Sequence, residues 1–247
     1  MDAEPVRKGL WEAVVEYASR GLRPYAILFV VEIGLFFVVA TLPFFPGEQA
    51  LYASQSNQLS NEFQGASLFT QFSGIFVNNL RIALFEMVPG LGAAFFAFSL
   101  YATARILEVV AISDKVSPLL VVFLLLLLFP HSWIELPAYA VATGEGLFLL
   151  YALWAAVTEK RSFSLRIEGW QFVINLVIVI VMLLVAALFE SVEIQLGAVL
   201  FWVTWLPFAG LIALAIALNR RLNKIKKESR TELSNEIKKD DSSHLSA

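Results

Sequence analysis

A histidine and a glutamate four residues apart can share a proton, bind a cation or hold two helices together. This chain sets such a pair, His131 and Glu135, in the stretch "FPHSWIELPAYAVATGEG" between two apolar runs. Glu145 follows in the same stretch, and Glu32 stands in an earlier apolar run. A charged side chain near the centre of a bilayer costs at least about 2.5 to 3.5 kcal/mol, so each acid must face protein or water, become neutral or find a partner. At about 100° per helical residue, His131, Glu135, Ala138, Ala142, Glu145, Gly146 and Leu149 project within about 60° of one direction. Ala138, Ala142 and Gly146 repeat every fourth residue, the small-residue pattern that lets another helix approach closely. Pro130 suits a first helical turn, whereas Pro137 must kink the helix and free the carbonyl of Trp133. The face from His131 to Gly146 is therefore expected to be a buried helix contact, joining partner proteins or copies of this chain.

Chemistry beyond packing is limited by inventory. A helical zinc protease site needs two histidines one turn apart, but the chain has only His131 and His244, so no metal is expected. Ser132 lacks the setting of a serine nucleophile: no G-x-S-x-G and no Ser-Lys pair within an apolar run is present. No phosphate loop, dinucleotide-binding glycine pattern or nucleic-acid module occurs, and no cofactor is implied. A proton or ion path along Glu32, His131, Glu135 and Glu145 remains the alternative to a non-enzymatic scaffold, since carboxylates and imidazole relay protons. Arg81 and Glu86 are expected at the outer interface, and Arg105 with Glu108 as a peripheral ion pair at the inner end of a span.

The elements that must position these groups are helices in a membrane. Of 247 residues 58% are hydrophobic and only 16% charged, more apolar surface than a soluble domain of this size can hide. The absence of cysteine excludes disulfides and thiolate sites. A hydrocarbon core of about 30 Å takes roughly 20 helical residues. On that scale spans are predicted over 25–45, 91–112, 131–157, 171–189 and 196–218, the last kinked at Pro207. The run 116–129, about 21 Å long as a helix, either crosses a thinned bilayer or is a half-helix. The fold class expected is thus all-α, a polytopic bundle of about six spans with broken or short central helices. Residues 1–24 read as an amphipathic segment anchored by Trp11 at the interface or packed on the protein's own inner face. The first span then inserts as an uncleaved anchor. An outer loop is predicted over 46–67, an amphipathic surface helix over 68–87, and a basic, then disordered, tail over 219–247, whose first half suits anionic lipid headgroups or serves topology alone. Basic residues gather before the first span, at Lys115, at Lys160 to Arg166 and after Leu218, which sets sixteen of eighteen on one side. That distribution predicts a multi-pass cell-membrane protein with both termini cytoplasmic.

Two stretches taken together, Phe76 to Ile112 and Leu125 to Trp154, resemble the stage II sporulation protein M family of integral membrane proteins. Its pattern of a double asparagine, a glycine-broken span and Pro-His-x-x-x-Glu-Leu-x-Ala is matched by Asn78 and Asn79, by Gly90 and Gly92, and by Pro130, His131, Glu135, Leu136 and Ala138. Ser132 and Arg105 depart from that pattern. The resemblance implies a non-catalytic membrane partner: in sporulating bacteria the namesake accompanies cell-wall-degrading enzymes during septal membrane remodelling.

Overall fold

The computed structural model describes residues 22–63, 65–158 and 165–221, and among them every regular element is a helix. The expectations for the N-terminal segment 1–21, for 159–164 and for the tail from 222 lie outside the described residues. The chain divides into two compact units, 1–202 and 203–247. The first contains α1 (Leu22–Val39), α2 (Glu48–Phe63), α3 (Leu68–Glu86), α4 (Gly92–Ser113), α5 (Pro118–Leu128), α6 (Ser132–Thr158) and α7 (Leu165–Leu200). In the second, a helix over 205–221 begins with an edge-on contact between Trp205 and Phe208.

Among the described residues five helices are long and apolar enough to cross a membrane: α1, α4, α6, Gly169–Gly197 of α7, and Trp202–Arg221. With 11 residues α5 reaches only about 16 Å, half of a hydrocarbon core, so the run 116–129 is a half-helix. The core mixes small residues that let helices approach, Ala83, Ala138 and Ala142, with larger side chains that fill it, Phe36, Phe96 and Val179, all buried.

Three predicted elements differ. Residues 47–67, rich in Gln, Ser and Asn, were expected as loop, yet most of them form α2. Its first turn is fixed by the Phe45 amide donating to Glu48 Oε2 (2.8 Å), and Tyr52 is buried. At its other end the Phe63 carbonyl accepts from Gln71 Nε2 (3.0 Å), and fixing both ends of a short polar helix to protein supplies the stability its composition lacks. The predicted loop 190–195 is also helical: Ser191 and Glu193 are buried and Glu190 half-buried, and α7 breaks at Gly197, where φ is +68°.

The third difference is topological. Helix α3 has 19 residues, about 28 Å, and a Ser67 N-cap whose hydroxyl accepts from the Thr70 amide (3.2 Å). It packs lengthwise against α4, α6 and α7. Near its start, Gln71 pairs with Gln195 at the C-terminal end of α7 (3.0 Å); at its finish Glu86 meets Thr143 in the middle of α6. So α3 runs through the bundle and not along its surface. Of its polar residues, Gln71, Asn79 and Glu86 are buried, whereas Asn78 and Arg81 are exposed as a surface helix would have them. After the turn at Gly90 (φ +84°), α4 therefore travels parallel to α1. Its first residue lies against Glu86, while Arg105 reaches the carbonyls of Leu42 (2.8 Å) and Pro43 (3.1 Å) past the end of α1. The link 114–117 with Lys115 consequently lies at the same end of the bundle as α2, not the opposite one.

Candidate functional site

Four groups of buried polar side chains stand inside this bundle, and they divide the predicted site residues between them. The first joins α1, α6 and α7. The Tyr25 hydroxyl donates to Glu145 Oε1, and Asn175 Nδ2 donates to the same oxygen (2.7 Å) and to the Tyr25 hydroxyl oxygen (3.2 Å). Glu145 is only 2% exposed. Its two donors satisfy one carboxylate oxygen, so Glu145 serves to join helices and lies apart from His131 and Glu135.

The second group surrounds Glu86, which is 1% exposed and not interfacial as expected. The Ser99 hydroxyl donates to its Oε1 (3.0 Å) and the Thr143 hydroxyl to its Oε2 (3.4 Å). The α3 and α6 backbones approach here because Gly146 has no side chain: a Cβ added there would come 2.7 Å from the Glu86 carbonyl oxygen and 3.1 Å from the Met87 carbonyl carbon. Gly92 faces the same carbonyl more closely still. Glu32, 2% exposed, has Glu86 and Glu135 as charged neighbours, and its Oε2 has no hydrogen-bond partner.

The third group lies at the α2 end of the bundle. Arg105, fully buried, pairs with Glu108 and with Glu48 (3.5 Å), holds the carbonyls past the end of α1, and stacks its guanidinium 4.7 Å from the Phe44 ring and 5.0 Å from Tyr101. Tyr101 donates to Glu48 as well. The peripheral ion pair predicted for Arg105 is thus a buried clamp between α1, α2 and α4. The reason is the parallel course of α4, which brings Arg105 to the carbonyl-rich end of α1.

The fourth group contains the residues that opened the sequence reading. Pro130 is buried and begins the turn into α6. His131 Nδ1 is paired with Glu193 Oε2 of α7, and Glu135 accepts from the Tyr139 hydroxyl (2.9 Å) one turn along α6. His131 and Glu135 thus have different hydrogen-bond partners, although ligand atoms of His131, Glu135 and Glu190 lie within 4.8 Å of one another. One imidazole and two carboxylates at that spacing could hold a metal ion. They front a cavity of about 480 Å³ that Glu193 also lines.

The small-residue face does pack, but within this chain. Ala138 and Ala142 have no exposed surface and Gly146 is buried under α3, which leaves none of that stripe to a second chain. Of the double asparagine, Asn79 is buried and accepts from exposed Asn78 through its Oδ1 (3.3 Å). Glu190, Glu193, Tyr25 and Asn175 were missed by the sequence reading. A signal for the first two existed: an acidic i, i+3 pair at the close of a long apolar run, with no basic residue beside it.

Fold and site together define an all-α polytopic membrane protein whose intramembrane acids are held by its own helices. The chain matches the family model described as Stage II sporulation protein M over residues 25–192, and it belongs to that family. No curated protein and no solved structure matches it. The matched segment runs from Tyr25 to two residues past Glu190 and so takes in three of the four polar groups whole, together with most of the fourth.

Proposed function

We propose that this protein is a non-enzymatic partner subunit of a membrane-associated complex, with α2 as the surface it presents to a partner protein. The observation that carries the reading is the way α2 is mounted. The Arg105 clamp fixes it at Glu48 and Tyr52 packs it down, while Gln55, Asn57, Gln58, Asn61 and two leucines, Leu51 (55% exposed) and Leu59 (42%), face outward. A rigid helix with amides around isolated apolar side chains suits recognition by another protein, because little ordering entropy is lost on docking. Membership of a family named for sporulation supports a role in membrane or envelope remodelling. The charge pattern supports an orientation with the N-terminal end of α1 facing the cytoplasm. The test is co-purification from cells of the source organism after mild crosslinking. Asn57→Arg and Asn61→Arg should lose whichever protein the wild type recovers while keeping its thermal midpoint; recovery unchanged in both refutes the assignment of α2.

One observation favours a second reading, a proton or cation carrier: His131, Glu135 and Glu190 front a cavity of about 480 Å³. Flux in liposomes that disappears in Glu135→Gln would establish the carrier and displace the scaffold.

A further inference from the structure

The cavity beside His131 has a lining of mixed character. Phe36, Leu107 and Leu126 contribute apolar surface, and Glu135, Glu190, Glu193 and His131 contribute three carboxylates and an imidazole. No lysine or arginine is among the described residues that line it. Three acids gathered in a span-length bundle around a single imidazole, with no lysine or arginine beside them, are a costly arrangement, and a cation supplies further positive charge.

The geometry specifies more than charge. Ligand atoms from His131, Glu135 and Glu190 fall within 4.8 Å of one another. Metal bonds of about 2.0 to 2.2 Å in a tetrahedral site place donor atoms about 3.4 Å apart, so small torsions of the two flexible glutamates close the set. Two of the three donors are already oriented by outer partners. Glu193 Oε2 occupies His131 Nδ1, which leaves Nε2 as the free ring nitrogen. Tyr139 occupies Glu135 Oε1, which leaves Oε2. A carboxylate behind an imidazole and a hydroxyl behind a carboxylate are the supports that metal ligands ordinarily have.

We propose that His131, Glu135 and Glu190 bind one first-row divalent cation, with Glu193 orienting the imidazole, and that the ion fastens the start of α6 to the end of α7. Mixed imidazole and carboxylate donors suit zinc or manganese better than calcium or magnesium, and the chain has no thiolate to draw copper(I). The site does not depend on α2 or on any partner.

The experiment uses the full chain in nanodiscs, stripped with EDTA, desalted and titrated with Zn²⁺ and separately with Mn²⁺, with bound metal counted by mass spectrometry after gel filtration. The expected result is one equivalent at micromolar metal and a raised thermal midpoint. Glu190→Gln should lose stoichiometric binding, Glu193→Gln should weaken it about 10- to 100-fold, and Glu145→Gln and His244→Ala should bind as the wild type does. No bound equivalent, or undiminished binding in Glu190→Gln, overturns the site. Should the Glu190 variant fail to fold, X-ray absorption of the zinc-loaded His244→Ala protein decides. Outer-shell scattering from one imidazole ring around a light-atom first shell supports the assignment, and its absence overturns it.

Discussion

The acids that the sequence marks as expensive to keep are all inside the protein, and several of their partners lie far along the chain. His131 and Glu135, one turn apart, reach instead to Glu193 on α7 and to Tyr139, and Glu145 is held by residues 120 positions earlier and 30 later. Periodicity along one helix shows which side chains need shelter; it carries no information about which distant helix shelters them. The small-residue stripe was legible in the same limited sense. Its spacing identifies close packing, and only the fold shows that α3 is what packs there. A consequence follows for Ala142, which has no exposed surface. Ala142→Leu should destabilise the single chain by about 1 to 3 kcal/mol through overpacking, without altering association. Thermal unfolding in detergent together with light scattering distinguishes the two effects: a change in oligomer size at an unchanged midpoint would contradict internal packing. Gly146→Ala should act in the same direction, since its Cβ meets backbone that cannot swing aside.

Among the elements, α1, α4 and α6 follow from run length and hydropathy, and their observed limits lie within a few residues of those predicted, α1 excepted at its C-terminal end. Helices α2 and α3 were misread because polarity was taken to mean surface or loop. In α2 the polar residues do face outward, but the helix is fixed at its first turn by an ion pair from another element. Partial burial works against the charged form of Glu48, yet the Tyr101 hydroxyl, the Phe45 amide and the Arg105 guanidinium together hold its carboxyl below the ordinary carboxylate range. A carboxyl whose folded pKa is depressed contributes stability that is fully present above its unfolded value, about 4.3, and is lost as pH falls through the folded value. The thermal midpoint of the wild type should therefore exceed that of Glu48→Gln at neutral pH, and the gap should narrow below about pH 4.3. A gap independent of pH would mean that the charge on Glu48 does not secure α2.

For the molecule as a whole, composition was enough to place the chain in a membrane, and alternating runs were enough to give a polytopic helical bundle. The course of the chain was not legible, because it turns on α3. With Gln71, Asn78, Arg81 and Glu86, α3 lacks the apolarity of a span, yet it packs along α4, α6 and α7, which supply polar partners for Gln71 and Glu86. Counting it as a traverse reverses the direction of α4 and carries the link 114–117 to the end of the bundle that holds α2. Lys115 then leaves the basic side on which the orientation count placed it, so that count weakens by one residue while its sign survives. The chain has no cysteine, which allows the course to be tested with single-cysteine variants. Asn57→Cys on α2 and Ser113→Cys at the end of α4, both exposed, should react with a membrane-impermeant maleimide from the same side of sealed vesicles. Arg23→Cys, at the opposite end of α1, should react only from the other side or after permeabilisation. If Ser113→Cys labels together with Arg23→Cys, α3 does not traverse the bundle. The parallel course of α1 and α4, and with it the Arg105 clamp, would then be wrong.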